Sequence, residues 1–540
     1  MRRTRIIRPR LALAGATALA LLPSVGARAD AGIQYTVYKV GTNGGEPSIG
    51  YDNVHDAAIF GAGLGMTKLT WDDTATPPAV TRTALPKPAT DVTSLDAITT
   101  VDAPTGRIYN SQLAGVCSLM SFSDDGGSTW TPSQGCGENT LLDHQSVGVG
   151  PFPAPLAGSN PVYPDAVYYC AQNGFNGACA VSLDGGLTFG QGVYAYNTPA
   201  NDTGDSDPTL AAEGGACSAL HGHIKVGPDG TAYLPVKGCG GVPSTQNGTN
   251  TEFVGGRPAL SISNNLGQTW TVHRVPAADV PDGVGGTNPV SNPDESDSSV
   301  SVSRGGVVYY TWENGTDPSD IKNTDHRQAM VAWSKDDGST WSTPVDLSSR
   351  LGMHNVMFPV VVAGDDDRAA VAFLGTTAIG DTQANAFPNE VWHLYVAMTY
   401  DGGATWSAVD ATPQDAVQRG CIDMQGTTIP PSSRQDVCTH RNLLDFNDIT
   451  VDKQGRPIVA YSDGCEGACE TDAGTASSGA VDKVARLSLG RGLYAQYDGV
   501  LAGSGPAVAV PEAPLLPLVP LLGAVALGVR SRLRRRPVAE

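Results

Sequence analysis

The sequence predicts an all-β fold: one β-propeller of four-stranded blades, seven in number, its ring closed by the N-terminal strand. Three observations predict it. An eight-residue pattern, Ser-x-Asp-x-Gly-x-Thr-Trp, occurs five times. A pair of short apolar strands joined by a tight turn recurs through the chain. The 65 Gly and 38 Pro in 540 residues, with no heptads, mark a turn-rich body.

The pattern is cleanest at Ser123–Trp130 and Ser334–Trp341. Ser182–Phe189 ends in Phe, Ser263–Trp270 has Asn for Asp, and Thr399–Trp406 starts with Thr. The terminal aromatics stand 59, 81, 71 and 65 residues apart, so the copies belong to successive units. A short Asp side chain can hold backbone amides further along a turn, and Gly accepts the positive φ. Thr-Trp then opens a strand whose ring is expected to be buried. Asp125, Asp184, Asn265, Asp336 and Asp401 are therefore read as structural turn residues.

The strand pairs follow in order: Ser48–Phe60 in degenerate form, Ile98–Asn110, Val147–Tyr169, His223–Tyr233, Ser299–Tyr310, Val360–Phe373 and Ile449–Tyr461. Seven units result, the first and last without the eight-residue pattern, each supplying the strands of one blade. The last unit runs out of chain after Leu487, while Gln34–Val40 alternates well and has no partner of its own. Placing Gln34–Val40 as the outer strand of the last blade removes an exposed edge. A six-bladed ring with an N-terminal addition is the alternative count.

The eight-residue pattern resembles the Asp box, or bacterial neuraminidase repeat, of the sialidase-like β-propellers. The resemblance covers most of the body. It implies that the boxes are structural turns on the face away from the ligand. It also invites a comparison with sialidase chemistry, in which three Arg clamp a sugar carboxylate and a Tyr–Glu pair and an Asp perform the cleavage. The first Arg of that family sits in a Phe/Tyr-Arg-Ile-Pro motif. This chain has Glu46-Pro47-Ser48-Ile49 near that place and no such motif elsewhere.

Both ends read as addresses. Residues 1–29 carry five early arginines, an apolar stretch and Ala27-Arg28-Ala29, the order of a secretory signal. Residues 506–540 resemble a bacterial PEP-C-terminal sorting tail: Val510–Pro514, an apolar run over Leu515–Val529, then an Arg cluster. They depart from it at Ala513, Pro517 and Pro520. A 15-residue helix spans only about 22 Å against a hydrocarbon core of roughly 30 Å, which suits a transient anchor better than a permanent one. The body, 30–505, keeps 23 basic and 52 acidic residues, a net charge of −29. Such a body repels nucleic acid, and repels an anionic ligand unless a local cationic pocket receives it.

The ten cysteines suit an oxidising compartment. Pairing by neighbours gives Cys117–Cys136, Cys170–Cys179, Cys217–Cys239, Cys421–Cys438 and Cys465–Cys469. A metal held by Cys465, Cys469, Cys421 and Cys438 is the rival reading.

Chemistry is expected where the innermost strands begin, at the mouth of the central channel. Aligned units place Glu46, Asp96, His144, His221, Asp297, Met357 and Phe446 in one register. Two residues on, toward the same side, stand Ser48, Ile98, Ser146, His223, Ser299, Pro359 and Asp448. Polar side chains converging on a channel make either a ligand site or a water-filled pore. Glu46, Asp96, Asp297 and Asp448 are the candidate catalytic carboxylates, and their separation would decide retention or inversion in a glycosidase. His144, His221 and His223 are candidate ligand-binding residues, with a metal on them as a minor reading. Arg257 and Arg327, at the starts of third strands, are candidates for an acidic group, with structural ion pairing as the rival. The loops 238–256, 375–390 and 412–442 would wall the mouth, with Trp312, Trp392 and His393 offering faces for a sugar.

The resulting expectation is an exported, surface-directed propeller that binds, and possibly hydrolyses, an extracellular glycan without a cofactor. The alternative is a non-catalytic envelope scaffold for protein partners. An exo-sialidase comes third. Nothing in the chain specifies an oligomer.

Overall fold

A computed structural model describes residues 32–501 apart from 64, 89–95, 115–117, 134–142, 155, 159–161, 173–175, 197–216, 218–220, 240–241, 245–251, 255–256, 276–278, 282–286, 290–296, 316–326, 425–437, 472–475 and 477–478. The signal, the tail with its apolar run over Leu515–Val529, and the Cys117–Cys136 pair lie outside the described residues. No helix among the described residues is long and apolar enough to cross a membrane.

Seven four-stranded antiparallel sheets form the ring. Blade 1 runs Ser48–Asp52, Ala57–Ala62, Gly65–Asp72 and Ala79–Ala84, from the axis outward. Blades 2 to 6 begin on Ala97–Asp102, Asp143–Pro151, Lys225–Val226, Ser299–Val302 and Asn355–Ala363. Blade 7 takes Asp448–Val451, Pro457–Asp463 and Val481–Leu489 from one end of the chain and Gln34–Lys39 from the other. The N-terminal strand pairs Tyr35 with Leu487 and Val37 with Ala485, closing the ring as expected.

Apolar clusters lie between neighbouring blades. Tyr109 of blade 2 shares one cluster with Tyr169 of blade 3, and Phe60 of blade 1 shares another with Ala460 of blade 7. Trp312 and Trp392 are fully buried within such layers, so neither offers a face to a sugar.

The boxes are built from local hydrogen bonds. In each, the first hydroxyl accepts from the glycine N–H four residues on, at 2.8–3.0 Å. The Asp or Asn accepts from the backbone N–H of the Thr, also at 2.8–3.0 Å. The Thr129 backbone N–H and hydroxyl hold the exposed Asp125 carboxyl down at about 2. Of the terminal aromatics only Trp270 is fully buried; Trp130, Phe189, Trp341 and Trp406 are half-buried. The deeper packing comes from a glycine instead. Gly186, Gly267, Gly338 and Gly403 each press on a side chain of the preceding blade, at positive φ. A Cβ on Gly403 would stand 2.6 Å from the Trp333 ring. Gly403→Ala is expected to lower stability by roughly 2–3 kcal/mol, read as a lower urea midpoint.

Where the ring closes, Val40 N–H donates to Asp482 O and Asp482 N–H to Thr42 O. The Asp482 carboxyl is fully buried, and burial pushes it up to about 7. In that state it holds a proton that the unfolded chain releases near pH 4. Its contribution is therefore largest below pH 4 and is lost as pH rises through about 7. The stability gap between the native chain and Asp482→Asn is expected to move in the variant's favour between pH 5 and pH 8, as thermal melts at both values would show.

Beyond blade 7 the chain crosses the far end of the channel. Arg304 lies 3.5 Å from the Tyr494 ring centroid, and Arg368 holds Gly492 O at 2.8 Å and the Asp498 carboxylate at 2.6 and 2.8 Å. These contacts tie the end of the described chain to the turns of blades 5 and 6, on the box face.

Candidate functional site

Innermost strands have no sheet partner on the axial side, so their N–H groups need other acceptors. Ser48 Oγ accepts from Thr99 N–H at 2.8 Å, Ser146 Oγ from Ile224 N–H at 2.8 Å, and Ser299 Oγ from Val361 N–H at 3.2 Å. Asp448 Oδ2 accepts from Ile49 N–H at 2.9 Å. Each of these residues bolts its blade to the next. Their expected role as a converging ligand set is thereby corrected: the polar groups satisfy strand edges. Asp448, named above as a catalytic candidate, has both carboxylate oxygens occupied, the second by its neighbour Ile449 N–H at 2.9 Å.

The register two residues earlier is different. Glu46 and His144 hold φ of 52° and 49°, a region that side chains other than Gly seldom enter. Such strain concentrates where a side chain must be aimed. Glu46, Asp96, Ile98, His144, Gln145, Asp445 and Phe446 line one small pocket. Glu46 is 4% exposed. Burial, then the charges of Asp445 and Asp96, push its carboxyl well above the usual range, and both neighbours share hydrogen bonds with it. Glu46 is thus a buried acid whose carboxyl is held well above the usual range.

Asp445 escaped the sequence reading. It sits one residue before the register position and is thrown over the mouth by Leu444 at φ 60°. The Arg441-x-x-x-Asp445 spacing was the available signal; the two are joined by bidentate contacts of 2.7 and 2.8 Å.

His144 lines the same pocket, and its Nε2 forms an ion-pair contact with Asp297 Oδ2. Phe446, from blade 7, crosses the axis. Its ring meets His223 of blade 4 at 4.6 Å and His144 of blade 3 at 5.8 Å. His221 is fully buried beneath, its Nδ1 2.9 Å from Gly222 O and its ring 5.7 Å from His144. Burial pulls both His221 and His223 down to about 4, so both rings are neutral at pH 7. Among the described residues no group of three or more His, Cys, Asp or Glu is arranged to hold a metal ion.

Met357 is fully buried; a bulge between Met357 and Val360 puts Phe358 and Pro359 at the mouth instead. Arg327 does begin a third strand but is 1% exposed, turned onto Thr382 Oγ1 at 2.5 Å and Met357 Sδ at 3.0 Å. It faces the core of the mouth wall and not an incoming group. Arg257 begins the third strand of blade 4, and its side chain lies outside the described residues. His393 is half-buried, bound to the Thr412 carbonyl at 2.6 Å. The wall loops do meet: Ile422 N–H donates to Thr382 O and Cys438 N–H to Gln383 O, braced by Cys421–Cys438. Cys170–Cys179, Cys217–Cys239 and Cys465–Cys469 are also bonded, which removes the cysteine metal site.

No protein-family model and no curated protein matches the chain. Among solved structures it is similar to a protein of unknown function from Dyadobacter fermentans DSM 18053, with 12% identity, 85% of this chain and 98% of that one covered, and a TM-score of 0.38. It is similar to an ulvan lyase of a polysaccharide lyase family at 11% identity, with 80% and 93% covered and a TM-score of 0.42. A Hadza microbial sialidase matches at 14% identity, with 68% and 63% covered and a TM-score of 0.36. The function proposed below rests on the residues of the mouth and not on these likenesses.

Proposed function

We propose that the propeller binds an extracellular glycan at its channel mouth and that Glu46 donates a proton to the glycosidic oxygen. The observation that carries this reading is the buried Glu46, its carboxyl held well above the usual range, in a pocket shared with His144 and the Phe446 ring. A carboxylic acid kept protonated at neutral pH is what a leaving sugar oxygen requires. His144, oriented by Asp297, is the opposing group that takes a proton from water. Carboxylate and amide groups accept from sugar hydroxyls, and an aromatic face stacks on a pyranose ring. The four disulfides among the described residues accord with an exported protein, and residues 1–29 and 506–540 are proposed as its export signal and sorting tail.

One observation favours the second reading, a non-catalytic scaffold for protein partners. Phe446 and the His144–Asp297 pair fill much of the mouth. An exo-sialidase has little support, because Arg327 is turned away and Arg441 is engaged by Asp445. Screening the purified chain against a glycan panel for saturable binding and reducing-end release separates the readings. Saccharide binding with turnover supports the first. Absence of binding to every glycan, with saturable binding to a surface protein, selects the scaffold.

A further inference from the structure

His144 is an extra residue in its strand. The innermost strand of blade 3 pairs Asp143 with Gln172 and Gln145 with Ala171, so two steps on one side meet one step on the other. The residue between them is left without a pairing partner, and His144 occupies that place at φ 49°. Such a backbone angle is costly for a residue with a ring, and it persists only where the surroundings over-determine it. The two residues that follow supply the restraint. Gln145 is buried, and its amide reaches back to blade 2: Oε1 accepts from Ser111 Oγ at 2.6 Å, while Nε2 donates to Ser111 O at 3.2 Å and to Asp96 O. Ser146 reaches the other way, to Ile224 N–H of blade 4, because successive side chains of a strand point to opposite sides.

The strand is therefore pinned on both flanks directly after the bulge. A slip of one residue would turn Gln145 out of blade 2 and Ser146 out of blade 4 together. Both N–H donors of the Gln145 amide are used, so the side chain has one orientation and no donor left for an incoming ligand, although it lines the pocket of Glu46. We propose that Gln145 is a positioning residue: by clamping blade 3 to blade 2 it keeps His144 in the bulge and aimed at Asp297. The contact it serves is a long one across the ring, because Asp297 stands just before the innermost strand of blade 5, Ser299–Val302. A side chain that must reach from blade 3 to blade 5 needs its backbone fixed. The aim of His144 belongs to the chain alone; its use in taking a proton from water rests on the glycan reading above.

The test uses the full chain and Gln145→Met, which keeps the length of the side chain and loses its donors and its acceptor. The crystal structure of this variant without ligand is expected to show His144 off Asp297 and out of the positive-φ region. On the best substrate of the glycan panel, kcat is expected to fall about 10²-fold with little change in KM, as a displacement of about 1 Å at a reacting group allows. In the His144→Ala background, Gln145→Met is expected to lower kcat no further, because residues that act as one unit are not additive. Ser111→Ala, which removes only the hydroxyl bond, is expected to give a smaller loss in the same direction and stands in if Gln145→Met does not fold. His144 unmoved on Asp297 in these variants overturns the proposal, and so does an equal fall in kcat with and without His144. A displaced His144 in a chain whose native form turns over no glycan supports the positioning and removes the cleavage reading.

Discussion

Glu46→Gln is expected to lower glycan turnover by about 10²–10⁴-fold, the usual contribution of a positioned proton donor, with little change in KM. The amide has the shape and the hydrogen-bonding reach of the acid but no proton to give. Stability is expected to hold or rise, because the substitution relieves the crowding of Glu46 against Asp96 and Asp445. That combination is diagnostic. A merely structural Glu46 would lose melting temperature and leave turnover of the surviving fold unchanged. Initial rates on the best substrate of the panel, with melts of the same preparations, check it.

The second large effect lies at the ring closure. Removing residues 30–40 is expected to abolish cooperative folding. Tyr38 and Val40 are buried in the layer between blades 7 and 1, and Tyr35 and Val37 pack against the layer between blades 6 and 7. Side chains of this kind contribute roughly 1.5–3 kcal/mol each on full burial. Their joint loss is comparable with the whole net stability of a domain, about 5–15 kcal/mol. The deletion also bares the edge of Val481–Leu489, which invites pairing between chains. Chemical denaturation and light scattering would register a broad transition and larger particles; a sharp transition in a monodisperse sample would overturn the closure as a source of stability.

The fold was legible because its signals are local. A box is closed by hydrogen bonds two to four residues long, so Ser182, Asp184, Gly186 and Thr188 carry its geometry in one glance. Blade count and closure followed from units that must each find four strands. The site was legible only in part. Register alone could place Glu46, Asp96, His144 and Asp297 at one level, yet it could not distinguish them from Ser48, Ser146, Ser299 and Asp448. Those four answer to N–H groups some 50 to 400 residues away, such as Ile49 for Asp448. The reach of Phe446 across the axis depends on the ring's diameter, which no stretch of sequence encodes.

The box began as the most specific feature of the chain and proves to be its scaffold; the chemistry is assigned to the opposite face. The crystal structure of the chain with its best-binding oligosaccharide tests that assignment most directly. The account predicts a sugar ring against Phe446, with oxygens within about 3 Å of Glu46 and His144. A saccharide seated on the box face or along an outer strand, with the mouth unoccupied, would contradict it.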